Sequence, residues 1–375
     1  MTTEATNPTV SFIVPCYNLG HLLAECVNSI LTQTFGNFEI LIMDDCSPDN
    51  TAEVAQSFHD PRVIHVRNQP NLGHLRNYNK GIRMARGKYI WLISADDRLR
   101  RDYVLERYVR VMEDHPQVGY SFCAGCALDD HEETGVIPSS RYRQQDGIFP
   151  GREFLLDLLK GNFILAAAGM ARKECYEKVS YFPEDMPYGG DWYLWCVFAL
   201  NFDVAYFAEP MVNYRVHDLS MSTILAKKNM RAIFGDIIEL PARIRREGER
   251  IGDPAIVSRC RETVIGQYAE CLASKEIRDR KSRITLAEFE ESLARFAPSL
   301  QEQREIRCKV FCRAGDRFCW LEEFGDSAAM YRRALAIKPF MPEVWLKLAL
   351  LKTGNVGAKI RQLLGEVRHF ANLKG

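Results

Sequence analysis

The chain has 375 residues, room for two domains of ordinary size, and is 47% hydrophobic and 26% charged, the balance of a soluble globular protein. Its 49 Lys and Arg equal its 49 Asp and Glu, so the net charge is zero, which argues against a nucleic-acid protein held by bulk positive charge. No apolar run approaches the ~20 residues that span a bilayer, and the first ten residues lack a basic segment followed by an apolar stretch, so the sequence predicts a cytoplasmic protein.

The first half alternates short apolar runs with segments of helical spacing. Val10–Pro15 reads as a strand ended by proline. His21–Leu31 places apolar residues at 22, 23, 26, 27, 30 and 31 and reads as a helix. Phe38–Met43 is a second strand running into Asp44 and Asp45, and Thr51–Phe58 a helix entered through Ser47–Asn50. Val63–Val66 is a third strand, followed by a helix over Leu75–Ala85. Tyr89–Ile93 is a fourth strand ending at Ser94–Asp97, followed by a helix over Arg101–Asp114, and Gly119–Cys123 reads as a fifth strand. Such alternation predicts an α/β fold with right-handed crossovers, a mostly parallel sheet and helices on both faces. Ligands of such sheets bind beyond the carboxyl ends of the strands. Tyr17 and Asn18, Asp44–Asp49, and Ser94–Asp97 all fall there, which predicts one shared site.

Past residue 222 strand signals fade and the chain becomes helix-rich and charged, as in Arg243–Arg250 and Arg278–Arg283. The expected division is therefore 1–222 and 223–375, the second part an α-helical domain. Asp326–Lys338 is amphipathic and stopped by Pro339, and Pro342–Leu351 starts another helix. Ala328, Tyr331, Ala334 and Pro339 resemble the second helix of a tetratricopeptide repeat, but at most one and a half repeats fit over 326–352, and stability normally needs about three. The 12 cysteines sit mostly in apolar contexts, such as Cys16, Cys26 and Cys196. Cys123 and Cys126 form a CxxC with no second pair at zinc spacing, and Cys308, Cys312 and Cys319 form a looser group; buried free thiols are expected throughout.

Taken together, SFIVPCYN, LIMDDCSPDNT, NLGHLRNYNKGIRMARGKYIWLISADD, GGDWYLW and YRVHDLSMS resemble, in order and separation, the family 2 glycosyltransferases of the GT-A fold. The resemblance implies a Rossmann-like sheet domain that binds a nucleotide sugar. The residues themselves offer no GxxxxGK[ST] loop and no GxGxxG after the first strand. Carboxylates at strand ends point instead to a hard divalent cation, Mn²⁺ or Mg²⁺, bridging to phosphates.

By the resemblance, Asp97 is the leading metal ligand and Asp96 faces ribose or sugar; the family's first acid is replaced here by Ser94. Asp45 takes the base or ribose position, with Asp44 as the alternative, because strand alternation turns only one of them to the site, while Asp49 reads as a helix cap. Pro15, Tyr17 and Asn18 form the loop after the first strand, where Tyr17 offers a stacking face. Gly73 permits a tight turn, and Arg76 is the cation aimed at base or diphosphate. Asp191 stands as the general base, its acidic neighbour replaced by Gly190; Trp192 and Trp195 read as acceptor wall or core. Arg215 is expected near the diphosphate and His217 in the metal shell, with Ser220 and Ser222 in a closing loop.

The implied reaction is inverting transfer from a nucleotide diphosphate sugar, a UDP-sugar by resemblance of the base contacts, to a hydroxyl acceptor on a carbohydrate or lipid-linked carbohydrate. Two other classes stay open: a nucleotidyltransferase, for which VPCYN is the wrong signature, and a degenerate transferase domain acting as a scaffold for its C-terminal helices. A basic helix over Arg231–Arg250 reads as a solvated face or as a peripheral membrane surface, and the C-terminal helices as an acceptor-selecting, partner-binding or dimer-forming element.

Overall fold

The computed structural model describes residues 7–217, 220, 230–273 and 284–351. The chain divides into two compact units, Met1–Asp236 and Ile237–Gly375. The boundary expected at 222/223 and Ser222 fall in 221–229, outside the described residues, as does Arg278–Arg283.

In the first unit a ten-stranded sheet runs in the order β3-β2-β1-β4-β9-β6-β10-β5, with β7 on β6 and β8 on β10. β1 (Val10–Cys16), β2 (Phe38–Asp44), β3 (Val63–Arg67) and β4 (Tyr89–Leu92) pair in parallel. β1 and β2 are buried along their whole length, which is why they read as continuous apolar runs rather than alternating ones. Between them lie helices α1 (Gly20–Leu31), α2 (Thr51–Gln56) and α3 (His74–Met84).

Beyond β4 the sheet becomes mixed, and the simple alternation read from the sequence ends. β9 (Met170–Arg172) lies antiparallel between β4 and β6 (Val118–Asp129), and β10 (Asp203–Arg215) runs parallel to β6. The two-residue β5 (Arg98–Leu99) and β8 (Gly147–Phe149) pair antiparallel with β10, and β7 (Glu132–Val136) with β6. Helices α4 (Val104–Asp114), α5 (Gly151–Leu158), α6 (Lys173–Lys178) and α7 (Gly190–Ala199) complete the unit up to the long helix α8 (Met230–Arg250). Trp91 anchors the core: it stacks on Phe12 at 5.5 Å, meets Tyr108 at 4.4 Å, and its indole N–H donates to the Ala167 carbonyl at 2.7 Å. Burial of such rings contributes about 1.5–3 kcal/mol each.

The register sets the site. Cys16 faces Asp44 across β1 and β2, the Asp45 amide donates to the Cys16 carbonyl at 2.9 Å, and Ala95 donates to Pro15 at 3.2 Å. The β5–β10 pairing, Val212 with Leu99 and Asn213 with Arg98, brings 215–217 back over Asp96 and Asp97.

The second unit is helical. It contains α9 (Pro254–Ala273), α10 (Leu286–Phe296), α11 (Leu300–Trp320), α12 (Phe324–Ile337) and α13 (Pro342–Leu351), around a core that includes Val264, Tyr268, Phe289, Leu293, Phe311 and Ala334. α10 begins with a Thr285–Glu288 capping box. On α8, Arg243 and Arg246 pair with Glu239, Arg250 with Glu247, and Arg245 with Glu249 and Glu302, so these arginines present a neutralised face rather than a bare basic stripe. The described cysteines are all free thiols, and Cys123 and Cys126 are buried.

Candidate active site

A cavity of about 690 Å³ opens where β1, β2 and β4 end, a size suited to a small-molecule ligand. Of the residues singled out from the sequence, it is lined by Pro15, Tyr17, Asn18, Asp45, Gly73, Asp96, Asp97, Asp191, Trp192, Trp195 and Ser220. Tyr17 is 53% exposed at its rim, a free ring face, and Asn18 turns the chain with φ of 58° while its amide donates to Ser47 Oγ at 3.1 Å.

The two acids at the end of β2 have separate tasks. Asp44 is buried, accepts from the Ser47 amide at 2.8 Å, and pairs with Arg67 at 3.1 Å. The Asp45 carboxylate accepts from Asn68 Nδ2 and the Leu72 amide, each at 2.8 Å, and from the Gly73 amide at 2.9 Å. It therefore builds the loop before α3, where Gly73 takes φ of 82°, a value that glycine adopts without strain. Asp49 bridges two helix starts, accepting from the Gly20 and Thr51 amides.

Asp96 and Asp97 lie at the pocket floor, 8% and 5% exposed. Asp96 Oδ2 is 2.9 Å from His217 Nε2, and Asp96 Oδ1 is buried with no hydrogen-bond partner among the described residues. Burial alone would raise the Asp96 carboxyl, but hydrogen bonds from His217 and Ser94 outweigh it and hold the group below its ordinary value. Asp97 goes the other way: burial, with the Asp96 charge beside it, pushes its carboxyl well above the usual range, although its Oδ1 accepts from the Arg215 amide at 2.9 Å. Among the described residues no three His, Cys, Asp or Glu side chains form a complete metal cage. The donor set still suits Mg²⁺ or Mn²⁺, which commonly take one or two carboxylates and complete their shell with water and substrate phosphate. The unpartnered Asp96 Oδ1 and the mutual repulsion of two buried carboxylates are the features a cation would satisfy.

Two expected contacts lie elsewhere. Arg76 is exposed and its Nε donates to Glu184 at 2.8 Å, off the pocket lining. Arg215 is 4% exposed; its Nε donates to the Asp96 carbonyl at 2.9 Å and its NH2 to Glu25 at 2.6 Å. Its side chain thus braces the Asp96–Asp97 turn from behind.

Asp191 lies half-buried in the first turn of α7, its Oδ1 accepting from the Trp192 amide at 2.6 Å and its Oδ2 from Asn162 Nδ2 at 3.2 Å. Burial pushes its carboxyl up to about 6 despite these bonds, a value suited to a general base near neutral pH. Trp192 and Trp195 serve as both wall and core: they line the cavity while Trp192 donates to the Leu158 carbonyl at 3.0 Å and Trp195 stacks on Tyr120 at 5.1 Å. Asn162, Phe163 and His74 also line it. No sequence spacing ties them to Asp191, and only the fold brings them there.

The lining holds four carboxylates, Asp45, Asp96, Asp97 and Asp191, and no Lys or Arg among the described residues.

Residues 11–176 match the family model for glycosyl transferase family 2. The chain is 26% identical over 231 residues, 60% of its length, to the glycosyltransferase GlyA of Streptococcus pneumoniae serotype 4, and 37% identical over 108 residues, 28% of its length, to GlyG of the same organism. The matches cover 33% and 35% of those relatives, so the chain spans about a third of their length. Among solved structures, residues 1–349 of S. aureus TarS, determined in complex with UDP-GlcNAc, superpose with a TM-score of 0.62 at 15% identity, covering 87% of this chain and 90% of that one. The fold, the order of the sequence blocks and the family match agree: the N-terminal unit of this chain carries a glycosyl transferase family 2 domain built on the GT-A fold.

Proposed function

We propose that the protein is an inverting, metal-dependent glycosyltransferase that moves a sugar from a nucleotide diphosphate donor to a hydroxyl of a carbohydrate or lipid-linked carbohydrate. The observation that carries this reading is the placement of Asp191, half-buried and near-neutral in affinity for a proton, in the same cavity as the Asp96–Asp97 pair. Asp191 takes the proton from the acceptor hydroxyl as its oxygen attacks the anomeric carbon from the face opposite the nucleoside diphosphate. The C–O bond to the diphosphate breaks as the new one forms, so the configuration inverts and no covalent sugar–enzyme intermediate is required.

The described lining supplies no Lys or Arg for the leaving diphosphate. Asp96 and Asp97, with His217 held against Asp96, would hold Mn²⁺ or Mg²⁺, which as a Lewis acid neutralises charge on phosphate oxygens. Tyr17 offers its exposed ring to the base. UDP is the favoured nucleotide: TarS, which shares the fold, was solved with UDP-GlcNAc and with UDP, and the base-side loop resembles that of UDP users. The rings of Phe163, Trp192 and Trp195 give the acceptor end apolar faces against which a sugar ring packs.

Calorimetric titration with UDP, GDP and dTDP, each with Mn²⁺ and with chelator, tests the donor site. Metal-dependent binding of UDP by the wild-type chain, lost in Asp97→Ala, is expected, together with slow metal-dependent hydrolysis of a UDP-sugar that Asp191→Asn reduces at least tenfold. Folded protein that binds no nucleotide would overturn this reading in favour of a scaffold.

A further inference from the structure

The segment Pro187–Gly189 forms a wall of the cavity and leads directly into Asp191. It begins α7 without help from its own side chains, since the N-cap residue is Gly189 and makes no side-chain cap. The first amides of a helix need acceptors from somewhere. Here the amide of the N-cap Gly189, and that of Tyr188 before it, find theirs on a residue 47 to 48 positions further on. Asp236 Oδ2 on α8 accepts from the Tyr188 amide at 2.6 Å and from the Gly189 amide at 3.0 Å.

The opposite side of the strap is held as well. His74 Nε2, at the start of α3, lies 2.9 Å from the Pro187 carbonyl. A carbonyl only accepts, so Nε2 carries the hydrogen. Asp45, by holding Leu72 and Gly73, fixes the turn that presents His74. The Asp236 side chain packs closely against the strap: a Cβ on Gly189 would lie 3.2 Å from the Asp236 Cβ. Asp236 is 6% exposed, so its charge is taken out of water to meet these amides, near the positive end of the α7 dipole.

We infer that Asp236 is a positioning residue for Asp191: one carboxylate oxygen, bonded to both amides of the strap, fixes the entry into α7 and thereby the place of the general base and of the adjoining cavity wall. Asp236 is not among the residues that line the cavity. Its effect is on where the base stands, and a displacement of ~1 Å at a reacting group costs on the order of 10²-fold in rate. This inference rests on the glycosyltransferase reading for its catalytic consequence, but not for its structural one.

The test compares wild type, Asp236→Ala and Asp236→Asn in the full chain. Asparagine keeps an oxygen that accepts from both amides, whereas alanine keeps none. In Asp236→Ala, UDP affinity with Mn²⁺ should stay within about twofold of wild type while the kcat of UDP-sugar hydrolysis falls about 10²-fold. Hydrogen exchange of the Tyr188 and Gly189 amides, read by mass spectrometry on peptides covering 185–192, should become faster by at least tenfold. Asp236→Asn should recover most of both. Unchanged kcat and unchanged exchange in Asp236→Ala would overturn the inference, as would an Asp236→Asn variant as slow as Asp236→Ala with its strap amides still protected. Should Asp236→Ala fail to fold, exchange in the wild type decides: protection of the Tyr188 and Gly189 amides comparable to that of the α7 amides is expected, and amides that exchange freely would overturn the inference. If the wild-type chain hydrolyses no donor, the functional reading fails on its own, and the exchange measurement still decides whether Asp236 holds the strap.

Discussion

Asn162 Nδ2 donates to Asp191 Oδ2 across 3.2 Å, joining the loop before β9 to the first turn of α7. The bond favours the charged carboxylate, whereas burial favours the protonated one and wins, leaving the group at about 6. Removing the bond tips the balance further toward the proton. Asn162→Ala is therefore expected to move the acid limb of the kcat–pH profile upward from about 6, so that activity falls more at pH 6.5 than at pH 8.5. A limb that stays in place or moves down would show that Asn162 does not stabilise the Asp191 anion.

The same raised affinity has a cost for the fold. Asp191 binds its proton more tightly folded than unfolded, so its own contribution to stability is greatest at low pH and declines as pH rises from the unfolded value near 4 through about 6. A shift of this size is on the order of 3 kcal/mol at pH 7.5. Asp191→Asn should therefore unfold at a temperature several degrees above wild type at pH 7.5, with the difference gone at pH 4, even as donor turnover is lost. Stability sacrificed at a reactive group is a common feature of active sites. Equal melting temperatures at both pH values would argue that Asp191 is better solvated than its geometry indicates.

The parallel core and its polar strand ends were legible in the sequence because they obey local rules: β1, β2 and β4 are short apolar runs, and Asp45, Asp96 and Asp97 fall at or just beyond their carboxyl ends. β10 was not legible. Glu209 and Pro210 interrupt it, and the structure absorbs them as a register shift between Phe207 and Val212, where proline is tolerated because the ladder is already broken. β6 was read as five residues and extends over twelve, since its Cys, Ala and Gly positions carry little strand signal. Within the site, Asp191 was legible from its motif, but Asn162 and Asp236 were not: their parts depend on contacts across 29 and 47 to 48 residues, which no periodicity reports. Arg76 and Arg215 show the converse, motif positions whose side chains point to Glu184 and Glu25.

Arg215 yields a prediction that separates these roles. Its buried guanidinium meets Glu25 at 2.6 Å and the Asp96 carbonyl at 2.9 Å, so Arg215→Ala frees the turn that carries Asp96 and Asp97, while Glu25 keeps its ion pair with Arg98. Truncating one partner of a fully buried ion pair costs about 3–5 kcal/mol; with Glu25 part-exposed and still paired to Arg98 the expected loss is smaller, about 1–3 kcal/mol, a fall of roughly 2–12 °C in melting temperature for a unit of this size. Thermal unfolding with and without UDP and Mn²⁺ measures it. A variant with wild-type stability but a much weaker donor KM would place Arg215 on the diphosphate instead.

In the second unit the packing of α11 on α12 depends on a missing side chain. A Cβ on Gly315 would stand 2.5 Å from the Tyr331 ring, whose hydroxyl donates to Asp316 Oδ1 at 2.6 Å, while Ser327 Oγ donates to the Gly315 carbonyl at 2.8 Å. The ring is 1% exposed and tethered at its far end, so it cannot swing aside without breaking that bond. Helix propensity alone makes Gly→Ala favourable by up to about 1 kcal/mol; overpacking opposes it by about 1–3 kcal/mol. Gly315→Ala should thus lower the stability of the helical unit despite its better propensity. The double variant with Tyr331→Phe, which releases the tether, should lose less than Tyr331→Phe and Gly315→Ala lose when their separate effects are added. Denaturant unfolding of the four proteins measures the coupling, and strict additivity would mean that the ring yields to the added methyl without its hydroxyl being involved.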